Sequence, residues 1–105
     1  MSLTTEERRR TAGELRTNLA RTGHGERRVA DALEWTADRL TRTLGVEGAD
    51  PVDVWLLRDH LVQAVRDAGG EPAPFTVLTD RARVRARTWF ALRPAPRGAA
   101  APAAD

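Results

Sequence analysis

The sequence predicts an all-α fold, with one small domain of about five helices over residues 1–93 and a disordered Ala/Pro-rich tail over 94–105. Three observations carry that expectation. Apolar residues recur three and four positions apart in separate blocks, the period of a helix that buries one face. Most blocks are opened by a residue suited to cap a helix, and the breaks between them are rich in glycine. Of the 105 residues, 41% are hydrophobic and 30% charged, enough for one modest core and too few for two.

Thr4 and Glu7 are spaced as a capping box, and Leu15 with Leu19 forms a helical apolar pair, so a first helix is expected over about 5–21, weakened in its middle by Gly13. Thr22-Gly23-His24-Gly25 breaks the chain. Val29, Ala30 and Leu33 then share one face of a short helix over about 26–33. Trp35, Leu40 and Leu44 continue the apolar pattern, with Thr36 placed to cap a helix over about 37–44. Gly45-Val46-Glu47-Gly48-Ala49 reads as a loop. Asp50-Pro51 opens the longest helix, because Asp50 supplies a capping oxygen and a proline in the first turn has no N–H to waste. Val54, Leu57, Leu61 and Val65, widened by Trp55 and Val62, form its buried stripe until Gly69-Gly70 ends it. Glu71-Pro72-Ala73-Pro74 is expected to be extended, since a residue before proline is pushed away from helical angles.

Residues 75–92 support two readings. Arg81, Arg83, Arg85 and Arg87 alternate with Ala82, Val84 and Ala86 at the period of a strand, whereas Leu78, Ala82, Arg85 and Trp89 follow helical spacing. The helix is favoured over the strand pair, because Thr79-Asp80 is a helix start and Ala and Arg are strong helix formers. From Pro94 onward the chain is Ala, Pro, Gly and Arg without periodicity, which predicts disorder.

The stretch over residues 23–44, GHGERRVADALEWTADRLTRTL, resembles a helix-turn-helix of the lambda-repressor-like kind. Ala30 is small enough to let two helices cross closely, Val29 and Leu33 face the core, Trp35 fills the apolar slot after the turn, and Leu40 anchors the second helix. That resemblance implies that Thr36, Ala37, Asp38, Thr41 and Arg42 point outward toward base edges of double-stranded DNA, and that Arg27, Arg28 and Arg39 lie near its phosphates. The turn position usually held by glycine or asparagine is Glu34, which must adopt a left-handed conformation or reshape the turn. Gly25 stands where a Ser or Thr cap is customary, His24 where an apolar residue is, and Thr43 in the apolar place near the motif's end, so Leu44 serves instead.

A wider resemblance runs along the chain. Met1-Ser2-Leu3-Thr4 with Glu7-Arg8-Arg9, the helix-turn-helix stretch, Asp50-Pro51-Val52-Asp53-Val54-Trp55-Leu56-Leu57-Arg58-Asp59-His60-Leu61, Pro72-Ala73-Pro74-Phe75-Thr76-Val77-Leu78 and Trp89-Phe90-Ala91-Leu92 resemble domain-of-unknown-function family 2316, small bacterial proteins. The resemblance implies a helix-turn-helix-like fold and brings with it no reaction, ligand or operator.

Composition narrows the function classes. There is no cysteine, hence no disulfide framework, thiolate metal site or thiol nucleophile. The two histidines, His24 and His60, do not stand at metal-ligand spacing, and no metal or cofactor is expected. Asp59 and His60 are neighbours on one helix and diverge by about 100 degrees, so they form no catalytic dyad. His60 is expected half-exposed, Trp55, Trp89 and Phe90 in the core, and Arg8-Arg9-Arg10 on a solvated face. No apolar run approaches the roughly 20 residues of a membrane span, and the polar start does not read as a signal peptide, which predicts a cytoplasmic protein. All 17 basic residues are arginine, the side chain best suited to bidentate phosphate and base contacts, although the net charge is only +2. The function these features predict is a DNA-binding transcriptional regulator, acting as a homodimer and without catalysis. The alternative is a protein-interaction module that keeps the fold without binding DNA, because Asp31, Glu34 and Asp38 repel phosphate near the would-be groove face.

Overall fold

The computed structural model describes residues 3–46, 48–79 and 81–84. It contains α1 (Thr5–Thr22), α2 (Glu26–Leu33), α3 (Ala37–Gly45), α4 (Pro51–Asp67) and a fifth helical segment at 81–84. Among the described residues there is no strand. The helix starts fall where the caps predict. Thr4 and Glu7 exchange both bonds of the capping box at 2.9 and 3.1 Å. Thr36 Oγ1 accepts from the Arg39 N–H at 3.1 Å, and Asp50 Oδ1 from the Val52 N–H at 2.9 Å. At the other end of α4, Gly69 takes the left-handed conformation at φ 84, and the Gly70 N–H donates back to the Val65 carbonyl at 2.9 Å.

Within the ambiguous segment, residues 75–79 are neither helix nor strand, while residues 81–84 form a helical turn. Thr79 caps it, accepting the Ala82 N–H on its hydroxyl at 3.1 Å and the Arg83 N–H on its carbonyl at 2.9 Å. Ala82 is buried, in keeping with the helical stripe read from the sequence. Residues 85–92, with the expected core residues Trp89 and Phe90, and the 94–105 tail lie outside the described residues.

α4 is the strut of the domain. It packs on α1 and α3, while α2 packs on α3 and α1 also reaches α3. Leu57, Leu61 and Val65 are fully enclosed, as are Leu15 of α1 and Leu44 of α3, with Trp55 buried beside them. The buried stripe of α1 is Thr11, Leu15, Asn18 and Thr22, helical in spacing but mostly polar. Asn18 faces the extended segment after α4. Its carboxamide accepts the Ala73 N–H at 2.8 Å and donates to the Ala73 carbonyl at 3.1 Å, with a further bond to the Glu14 carbonyl at 3.0 Å. Arg21 donates to the Glu71 carbonyl at 2.8 Å, and the Glu14 carboxylate accepts from the Thr76 hydroxyl at 2.7 Å. Arg58 Nε holds the Leu78 carbonyl at 2.9 Å, Arg83 pairs with Asp59, and the Arg83 guanidinium lies 4.7 Å over the Trp55 ring. Residues 71–79 and 81–83 are thus folded back over α1 and α4 both by these polar contacts and by burial of Phe75, Leu78 and Ala82 in the core.

Thr11 makes a direct test of that polar stripe, because its hydroxyl is buried and finds no hydrogen-bond partner among the described residues. Thr11→Val keeps the shape and removes the unmet donor. It is expected to raise the unfolding free energy by about 1 kcal/mol in urea denaturation.

Candidate nucleic-acid interface

The connection from α2 to α3 turns on Glu34. With φ 61 and ψ 41 it adopts the left-handed conformation, so of the two outcomes open to it from the sequence, the turn keeps its shape and Glu34 carries the strain. The Glu34 N–H donates to the Asp31 carbonyl at 3.1 Å and the Trp35 N–H to the Ala30 carbonyl at 2.9 Å, the paired closure that a glycine normally provides. Gly25 stands at the start of α2 without a side-chain cap bond, as its lack of a hydroxyl requires. Glu34→Gly is expected to raise the melting temperature, by relieving about 1 kcal/mol of left-handed strain at an exposed position.

Val29, Ala30 and Leu33 of α2, Trp35 of the turn and Leu40 of α3 are all buried, as the sequence predicts. Thr43 and Leu44 are both enclosed. Thr43 meets its polar requirement by donating its hydroxyl to the Arg39 carbonyl at 2.7 Å. Burial of that face leaves Thr36, Ala37, Asp38, Thr41 and Arg42 exposed. α3 ends on Val46, which is left-handed at φ 62 although β-branched. Val46 also buries its side chain in the core, and that burial offsets the strain.

The phosphate candidates differ from one another. Arg27 and Arg28 are exposed on α2. Arg28 lines a cleft against the C-terminal half of α4, with His24, Ala32, His60 and Gln63. Arg39 instead is bound to the first turn of α4. Its Nε and Nη2 donate to the two carboxylate oxygens of Asp53 at 2.9 and 2.7 Å, and its guanidinium lies 4.7 Å over the Trp35 ring. The hydrogen bond to Asp53 raises the Arg39 pKa, burial opposes it, and the charges of Asp53 and Asp50 add to the rise. Arg39 and Arg42 share a cleft of about 610 Å³ with Thr36, Thr43, Asp50 and Asp53. Asp31, Glu34 and Asp38 are also exposed around the turn.

The ion pair to Asp53 was not foreseeable from spacing, because its partners sit on different helices and Asp53 reads locally as a first-turn acid. His60 is buried rather than half-exposed, because α4 turns it toward the loop after α1 and the start of α2 instead of toward solvent. Among the described residues no group of three His, Asp or Glu side chains is placed to hold a metal ion. No described helix is long and apolar enough to cross a membrane.

The elements that build this surface all fall inside one family match. The model of a family described as "Uncharacterized protein conserved in bacteria (DUF2316)" fits residues 1–91. The chain belongs to DUF2316. The match takes in α1 to α4 and the helical segment at 81–84 of this DUF2316 protein, together with the Pro72-Ala73-Pro74 segment that Asn18 holds. No curated protein and no solved structure matches the chain.

Proposed function

We propose that this protein is a DNA-binding transcriptional regulator of the cytoplasm, acting as a homodimer and without catalysis, with α2 and α3 as a helix-turn-helix. The single observation that supports it best is the division of α3 into a buried face of Leu40, Thr43 and Leu44 and an exposed face of Thr36, Ala37, Asp38, Thr41 and Arg42. Such a helix has its polar and cationic side free for the major groove while its other side is fixed by the core. In this reading Arg42 reads a base edge, Arg27 and Arg28 contact phosphates, and Arg39 adds a third cation whose position Asp53 holds. Two copies are needed because one short recognition helix gives little discrimination, whereas paired half-sites multiply it.

A second reading, an interaction module that binds a protein through the same surface, is favoured by two observations. Asp31, Glu34 and Asp38 are all exposed around the turn, and the charge of Arg39 is already matched by Asp53. Fluorescence anisotropy on genomic fragments that include the protein's own promoter, at several salt concentrations, separates the two. A regulator binds at least one fragment more tightly than the roughly 10⁻⁴ to 10⁻⁶ M of non-specific association. An interaction module shows no fragment preference.

A further inference from the structure

The only two histidines of the sequence, 36 positions apart, line the same cleft. The cleft holds about 500 Å³, and its walls are His24 and Arg28 on one side and His60, Gln63 and Asp67 of α4 on the other. Ala32, Ala64 and Ala68 make the space, since a larger side chain at any of them would fill it. Elsewhere in the fold other arginines are engaged: Arg21 on the Glu71 carbonyl, Arg39 on Asp53, Arg83 on Asp59. Arg28 has no hydrogen-bond or ion-pair partner among the described residues, and the one carboxylate of the cleft, Asp67, accepts the Gln63 amide at 2.8 Å instead.

We propose that this cleft is a binding site for a small dianion carrying carboxylate or phosphate groups, held by the Arg28 guanidinium and the His24 imidazole against the His60 wall. A planar guanidinium gives such a group two parallel donors, and an imidazole N–H adds a third. Asp67 opposes the bound charge, which limits affinity and selects for a compact anion. The site does not depend on the DNA reading. One consequence does rest on it: Arg28 is also a phosphate candidate of the proposed DNA interface, so a dianion held here competes with DNA for that side chain.

The test is an NMR titration of the whole protein at constant ionic strength, with inorganic phosphate in one series and malonate in the other, following the ring signals of His24 and His60 and the backbone amide of Arg28. The expected result is saturable binding of at least one dianion at about millimolar affinity. Arg28→Gln weakens it about tenfold or more, Asp67→Asn strengthens it severalfold, and Arg9→Gln, an exposed arginine on α1, leaves it unchanged. Which series saturates identifies the head group. Shifts that grow linearly with both anions, or an equal loss in Arg28→Gln and Arg9→Gln, overturn the proposal. All three substituted side chains are exposed, so the variants are expected to keep the wild-type melting temperature, and a DNA result of either sign leaves this outcome readable.

Discussion

Asn18→Ala is expected to lower the unfolding free energy by about 3 kcal/mol, the largest effect of any single polar change in the domain. The side chain is fully enclosed and serves both backbone groups of Ala73, the N–H at 2.8 Å and the carbonyl at 3.1 Å. Alanine leaves a buried donor and a buried acceptor unmet at the same place, and each such group costs about 1–3 kcal/mol when water cannot reach it. Because Ala73 lies in the extended segment that crosses α1, the loss also loosens residues 71–76, and proteolysis within them is expected to speed up. Glu14→Gln, which removes the charge and one of the two oxygens that accept from Thr76 at a partly exposed position, is expected to cost about 1 kcal/mol or less. Urea denaturation of the two variants checks the contrast. An Asn18→Ala loss no larger than that of Glu14→Gln means that water satisfies Ala73 and that the clamp is not structural.

Ala30→Leu is expected to destabilise the domain by about 2 kcal/mol although it adds apolar surface. Ala30 is 5% exposed, and its carbonyl accepts the Trp35 N–H that closes the turn between α2 and α3. A branched side chain there must push α3 away from α2 or force Trp35 out of its buried position. Both outcomes lower the melting temperature, and displacement of Trp35 also shifts the tryptophan fluorescence to longer wavelength. A melting temperature equal to that of the wild type would show that the packing around Ala30 has room to spare.

The helices were legible because their signals are local. The Thr4-Glu7 box, the Thr36 cap, Asp50-Pro51 and Gly69-Gly70 each satisfy or interrupt helix ends within a few residues, and the observed bounds differ from the expected ones by no more than two positions. The apolar stripes of α2, α3 and α4 were equally plain. Phe75, Leu78 and Ala82 help dock the segment after α4, but spacing could not reveal its polar clamp on α1. Thr11, Asn18 and Thr22 follow helical periodicity with Leu15, but a search for apolar residues passes over them and finds only Leu15 with Leu19. Val46 escaped notice for a related reason. Gly45 beside it is the natural left-handed residue, yet the chain places that conformation on Val46, whose side chain the core takes up.

The exposure of Asp38 and Arg42 was readable as soon as Leu40 and Leu44 were assigned to the core, because each lies more than a quarter-turn from both, whereas Thr36 and Ala37 are exposed at the N-terminal end of α3. The roles of the individual arginines were not. From the sequence, Arg28 and Arg39 are equivalent cations at either end of the motif. In the fold one lines a cleft beside two histidines, and the other is held by Asp53 over Trp35. The separation comes from α4, whose two ends meet them, and nothing within residues 23–44 encodes it.

The claim that the exposed face of α3 reads DNA is tested most directly by fluorescence anisotropy on Arg42→Ala, with Arg28→Ala as its companion, against a selected genomic site and a random duplex over a range of salt. Arg42 is exposed, so its truncation is expected to leave the fold intact. Arg42→Ala is predicted to weaken the specific site by about tenfold more than the random duplex, in line with about 1–3 kcal/mol of discrimination from one base contact. Arg28→Ala is predicted to weaken both alike and to flatten the salt dependence by about one counterion. Equal loss on both duplexes with Arg42→Ala, or no loss with either variant, would contradict that claim.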